Sequence, residues 1–155
     1  MANCYDKLLY SFTHLTIMKV LFVCKGNIGR SQMARALFDK LSGKKSESAG
    51  AKVSEENKKI KLGQFDEAKN VIEVMREEEI DLTTREIKQV TPKMVKSSDI
   101  IIALAQKEDL PNFILESQKV RYWDIENPRG YDLENTRKTK DQIKKLIEEF
   151  IKKSN

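Results

Sequence analysis

The chain has 155 residues, 34% of them charged, with 29 Lys and Arg against 24 Asp and Glu, for a formal net charge of +5 and a pI near 9.1. That length supports one domain with a single core, and the interleaving of basic with acidic residues ("KKIKLGQFDEAK", "MREEEIDLTTREIKQ") describes a solvated mixed surface rather than a nucleic-acid stripe. Two cysteines, Cys4 and Cys24, exclude a disulfide scaffold, no apolar window is long enough to span a bilayer, and no His/Cys cluster has metal-ligand spacing.

Residues 1–17, "MANCYDKLLYSFTHLTI", are interrupted by Asp6, Lys7 and His14 and lack a small-residue cleavage pattern. They are expected to be an N-terminal extension, whose status the sequence does not decide, ahead of a single domain at 18–155, and the protein is expected to be cytoplasmic. From Met18 onward, short apolar runs alternate with amphipathic stretches, the pattern of βαβ units and a parallel sheet. "KVLFVC" reads as a buried strand. "GRSQMARALFDKLSG" reads as a helix with Met33, Ala34, Leu37, Phe38 and Leu41 at helical spacing and Gly43 as its stop. "SESAGA" is a second strand with its turn, and Asp66 to Glu79 an amphipathic helix with Ala68, Val71, Ile72 and Met75 on one face. Thr91-Pro92 opens a short helix over "TPKMVKS"; "DIIIALA" is a central strand buried on both faces; "KVRYWDI" is a fourth strand. The chain ends in a long helix, "LENTRKTKDQIKKLIEEFIKK", whose core face is Ile143, Leu146, Ile147 and Phe150. No repeat, low-complexity segment or Pro/Gly-rich linker occurs. The expected fold is α/β, a three-layer sandwich on a four-stranded parallel sheet, and in such sheets ligands bind beyond the carboxyl ends of the strands.

Cys24 stands at that place, in "CKGNIGRS". Gly26 and Gly29 allow a short loop to curl so that backbone N–H groups from Lys25 through Gly29 converge on one centre, completed by the N-terminus of the following helix. Arg30 adds a planar fork suited to two oxygens of a phosphate-like dianion. Helix terminus and guanidinium together favour a thiolate, the reactive form of cysteine, and a thiolate in a phosphate cradle is a nucleophile aimed at phosphorus. No G-x-x-x-x-G-K-[ST] is present, so the loop is not a nucleotide P-loop. A bare C-x5-R also fits a small apolar residue ending a strand and a surface arginine; Gly26, Asn27 and Ser31 and the position after a first strand favour the cradle.

"CKGNIGRS" resembles the active-site loop of the low-molecular-weight protein tyrosine phosphatases, which share a phosphatase I-like sandwich with one class of arsenate reductases. "SAG" at 48–50, "EVMREEEIDLTTREIKQVTPKMV", "DIIIALAQKED" and "YWDIENPRGYD" extend the resemblance from Met18 to about Ile151. It implies a phosphocysteine mechanism with Cys24 as nucleophile, Arg30 as phosphate clamp, and Ser31 as the hydroxyl that eases departure of the sulfur. Asn27 would hold the loop's backbone, Ser48 would brace it, and Lys25, Gly26, Ile28 and Gly29 would complete the substrate cradle. Ile28 leans toward phosphotyrosine, where relatives resembling arginine phosphatases carry Thr.

Three positions depart from the pattern. The family's general acid lies in an Asp-Pro pair, and here the pair is Asn127-Pro128, an amide in place of a carboxylic acid. Glu126 is the adjacent candidate substitute, although neighbours on an extended segment point opposite ways; Asp124 reads as a cap or loop brace. Gly29 replaces a protective second cysteine, and Arg85 stands near the place of a supporting His. Tyr131 is a candidate pocket wall, Trp123 a core residue, and Arg129 either selects acidic substrates or is solvated.

The function expected is a cysteine-dependent phosphomonoesterase acting on a phosphotyrosine protein or small aryl phosphate, binding oxyanions such as phosphate, with no cofactor or metal and no nucleic-acid or membrane partner. The alternatives are an arsenate reductase using an external thiol, since "LAQKEDLPNF" holds no relay cysteines, and a weakly catalytic phosphate-binding module.

Overall fold

Parity along the first strand sorts the core into two layers. The computed structural model describes residues 18–128 and 130–154; residues 1–17, with Cys4 and His14, and Arg129 and Asn155 lie outside the described residues. β1 (Val20–Cys24) is buried at every position, and successive side chains of a strand face opposite ways. Val20, Phe22 and Cys24 pack into a core layer with Met33, Leu37, Val71, Met75, Ile143 and Ile147, drawn from α1 (Arg30–Ser42), α2 (Lys69–Arg76) and α5 (Leu133–Ser154). Leu21 and Val23 face the other layer, with Val95 of α3 (Pro92–Ser97) and Ile114 of α4 (Asn112–Leu115). Cys24 is thereby committed to the face covered by α1.

β1 pairs in parallel with β2 (Glu47–Gly50) and β3 (Ile100–Ala103), and β3 with β4 (Val120–Tyr122), giving the order β2-β1-β3-β4. Cys24 is opposite Gly50 on one neighbour, and Val23 opposite Ala103 on the other. With β1 connected to β2 on one side and β2 crossing back to β3 on the other, the crevice beyond the carboxyl ends of β1 and β3 is the topological switch point of the sheet. This is the expected four-stranded parallel α/β architecture. Phe22, Phe38, Phe150 and Trp123 form an aromatic cluster beneath it, with ring centroids 5.8 Å (Phe22–Phe38), 6.2 Å (Phe22–Trp123) and 6.1 Å (Trp123–Phe150) apart.

Element boundaries differ from the sequence expectation in places with physical causes. The segment predicted as one helix from Asp66 to Glu79 is a 3-10 turn, Asp66–Ala68, leading into α2, which stops at Arg76. Glu77, Glu78 and Glu79 set like charges against the negative end of the helix dipole, and Glu79 adopts φ 60° as the chain turns away. The predicted Gly43 stop is present, at φ 71° with its N–H donating to the Asp39 carbonyl. β4 is shorter than the "KVRYWDI" run: after Trp123 N–H bonds the Ala103 carbonyl, the chain leaves the ladder. α4, entered through Pro111, was not foreseen. Opposite the site, the Glu78 carboxylate accepts from Lys140 and Lys144 at 2.8 Å each, pinning the turn after α2 to α5.

Candidate active site

Four chain segments meet at the switch point: the loop after β1, the segment after β2, the turn entering α2, and the loop after β4. They enclose a cavity of about 510 Å³ lined by Cys24, Arg30, Ile28, Val71, Pro128 and Tyr131, among others. Lys25, Gly26 and Gly29 line it too.

The left-handed bend of the Cys24 loop falls on Asn27 rather than on either glycine. Gly26 and Gly29 are outside the left-handed region; Asn27 is inside it, at φ 58°. Such a conformation costs a non-glycine residue about 1 kcal/mol unless local hydrogen bonds hold it. Asn27 is fully buried and has them: its Nδ2 donates to Ser31 Oγ at 2.8 Å and Ser48 Oγ at 3.1 Å, while its Oδ1 accepts from Lys88 N–H at 2.9 Å and Gln32 Nε2 at 3.1 Å. Gln32 also donates to the Asn27 carbonyl at 3.1 Å and that of Glu86 at 3.2 Å.

From behind, Ala51 N–H donates to the Cys24 carbonyl and Lys52 N–H to that of Lys25, both at 2.8 Å. β2 therefore serves as a rail under the loop. No backbone carbonyl of the described residues accepts a hydrogen bond from the N–H groups of Gly26 through Gly29. α1 begins at Arg30 without a side-chain cap at Gly29, so its first N–H groups add to the same positive concavity.

Cys24 Sγ lies 2.9 Å from Ser31 Oγ. Either group can donate in this contact: the Ser31 oxygen accepts from Asn27 and keeps a second lone pair for a thiol, and its proton can turn toward a thiolate. Arg30 is 4% exposed, and its Nη1 donates to the Leu104 carbonyl at 2.6 Å and the Ile125 carbonyl at 3.0 Å. Two backbone carbonyls thus anchor the fork, leaving its other N–H groups at a mouth it lines.

Asn127 lines the cavity, whereas Glu126 does not; its carboxylate accepts a hydrogen bond from the Tyr131 hydroxyl. That bond and the negative charge hold the Tyr131 phenol above its ordinary pKa. Asn70 Nδ2 donates to the Tyr131 carbonyl at 3.1 Å, tying the loop after β4 to α2. Trp123 sits in the core cluster rather than at the mouth. Arg85 lies near Arg35, Asp39 and Glu47, and burial with the like charge of Arg35 pushes its pKa down. The amide that reaches Asn27 is Gln32.

Sequence reasoning missed Gln32, Lys52, Asp66, Glu67 and Asn70, of which the last four line the mouth. Gln32 alone had a local signal, an amide inside the buried first turn of α1, next to Ser31. Among the described residues there is no group of three or more His, Cys, Asp or Glu placed to hold a metal, and no helix long and apolar enough to cross a membrane.

A family model for low molecular weight phosphotyrosine protein phosphatases matches residues 19–155. An arsenate reductase of Staphylococcus xylosus is 29% identical over 134 residues, covering 84% of this chain and 94% of its own. Among solved structures, a low molecular weight protein tyrosine phosphatase from T. tengcongensis is similar at TM-score 0.73 and 27% identity, covering 88% of this chain and 99% of its own. An arsenate reductase in its phosphate-binding state is similar at TM-score 0.70 and 26% identity, covering 90% and 100%.

Proposed function

The chain belongs to the low molecular weight phosphotyrosine protein phosphatase family, and from that premise we propose that it hydrolyses phosphate monoesters of aryl alcohols, phosphotyrosine included, through Cys24. The observation that carries the reading is the 2.9 Å contact of Cys24 Sγ with Ser31 Oγ at the floor of a cavity that Arg30 also lines. A binding module would need the cradle but no nucleophile.

In the first step the sulfur attacks phosphorus, an S–P bond forms, and the P–O bond to the leaving group breaks. Backbone N–H groups of the loop and the Arg30 fork take up the charge on the three equatorial oxygens. In the second step water attacks phosphorus and the S–P bond breaks, with the Ser31 hydroxyl stabilising the departing thiolate. The leaving oxygen finds an amide, Asn127, where the family carries a carboxylic acid. Loss of a general acid costs about 10²–10⁴ in rate, or about 3–5 kcal/mol of barrier. Esters whose alcohols leave without protonation, such as activated aryl phosphates, are therefore the best substrates. Ile28, Val71, Pro128 and Tyr131 supply the apolar walls that an aryl ring requires.

A second reading, arsenate reduction, is favoured by the curated relatives. Cys24 would attack arsenic in the same cradle, an S–As bond forming as hydroxide leaves. A small external thiol would then attack the Cys24 sulfur, so that an S–S bond forms and the S–As electron pair departs with arsenite, and a second external thiol would free Cys24 from the mixed disulfide, since Cys24 is the sole cysteine among the described residues. Parallel assays separate the two: phosphate released from an aryl phosphate without any thiol, and arsenite formed from arsenate with excess thiol. Phosphate release without arsenite supports the first reading; arsenite with no phosphate release replaces it.

A further inference from the structure

The mouth of the cavity is electrically uneven. Lys25 and Lys52 both reach the same oxygen, Asp109 Oδ1, at 3.7 Å and 3.2 Å. The carboxylate is largely buried, at 18% exposure, while the two lysine side chains are 49% and 56% exposed. The backbone bond from Lys52 N–H to the Lys25 carbonyl holds the pair side by side. Asp109 belongs to the 3-10 turn Lys107–Asp109 after β3, so three loops of the switch point build one group of two ammonium ions over a single carboxylate. One positive charge is left over, and both lysines line the same cavity as Cys24 and Arg30. At the entry to α2, Asp66 and Glu67 bring two negative charges to that mouth and Lys69 one positive charge, for a net charge of −1 on that side.

We propose that Lys25 and Lys52 form a subsite for a second anionic group beside the phosphate cradle, and that the substrates are phosphotyrosyl polypeptides with an acidic residue on one flank of the phosphorylated tyrosine. The inference rests on the phosphatase reading and adds the substrate class. A lone phosphate is served by the loop and Arg30; Lys52 lies beyond that loop, so its surplus charge acts on what the phosphate is attached to. Asp66 and Glu67 oppose a substrate acidic on every side, which confines the preference to one flank. Because the lysines are solvated, the attraction is modest, about twofold to fivefold in kcat/KM, and is screened by salt.

The test uses phosphotyrosyl peptides with Glu, Gln or Lys placed immediately before or immediately after the phosphotyrosine, assayed with wild type, Lys52→Gln and Lys52→Glu. Wild type is expected to prefer Glu over Gln over Lys at one flank, with the ratio shrinking as sodium chloride rises. Lys52→Gln should reduce the Glu-to-Lys ratio, and Lys52→Glu should reverse it. A wild-type ratio within about twofold at both flanks, or one unchanged in both variants, overturns the subsite while leaving the phosphatase reading standing. Absence of Cys24-dependent turnover on every peptide and on small aryl phosphates overturns both.

Discussion

Gly50→Ala tests whether β2 sets the position of the cradle. Gly50 is locked on both sides, its N–H to the Lys88 carbonyl and its carbonyl to Val90 N–H, each at 2.8 Å. A Cβ built there would lie 2.7 Å from Val53 Cγ2 and 2.9 Å from both the Asn27 nitrogen and the Gly26 carbonyl carbon. Comfortable carbon contacts begin at about 3.5 Å. Val53 can turn aside, but the two backbone atoms belong to the loop and would have to retreat by about 0.6 Å to restore that separation. Overpacking of this kind costs about 1–3 kcal/mol, and displacement of catalytic groups by about 1 Å lowers rates by about 10²-fold. Urea denaturation should show the stability loss, and kcat/KM on an aryl phosphate should fall about 10-fold to 10²-fold under conditions where circular dichroism shows the variant folded. A folded Gly50→Ala enzyme with wild-type kcat/KM would refute the idea that the rail positions the loop.

Asn27→Ala removes all four side-chain hydrogen bonds that hold the left-handed residue. It should cost about 2–4 kcal/mol in urea denaturation and lower kcat/KM disproportionately; a loss below about 0.5 kcal/mol would contradict the role given to the network. Glu78 is held below its ordinary pKa of 4.5, first by its hydrogen bond from Lys140 and then by that from Lys144. A carboxyl depressed by folding contributes stability that is full above the unfolded value and is lost as pH falls through the folded one. Glu78→Gln should therefore cost about 1–3 kcal/mol at pH 7 and flatten the decline in thermal midpoint below pH 4.5; an unchanged acid limb would argue against this clasp.

How legible the molecule was depended on whether an interaction is local or reaches across the chain. Parity in "VLFVC" and the helical spacing of Met33, Leu37 and Phe38 lie within single elements, and they placed Cys24 at the carboxyl end of a central strand, before α1. Glycine misled, because it permits unusual backbone without requiring it. The left-handed residue of the loop is Asn27, whereas the glycine with no room for a side chain is Gly50, on a different strand. Asp109 joins Lys25 and Lys52 from far along the chain, and Asn70 meets Tyr131 across the cavity; neither pairing leaves a periodic trace. The Asn127-Pro128 substitution was legible at once, but only the structure separates the two neighbouring side chains, Asn127 on the cavity and Glu126 on Tyr131.

The most direct measurement is phosphate release from aryl phosphates of graded leaving-group pKa, by wild type and Asn127→Asp, with Cys24→Ala as blank. Turnover should be absent in Cys24→Ala and should fall steeply in wild type as the leaving group worsens. Asn127→Asp should recover part of the missing 10²–10⁴, roughly in proportion to how poor the leaving group is. Turnover that persists in Cys24→Ala would contradict Cys24 as the nucleophile.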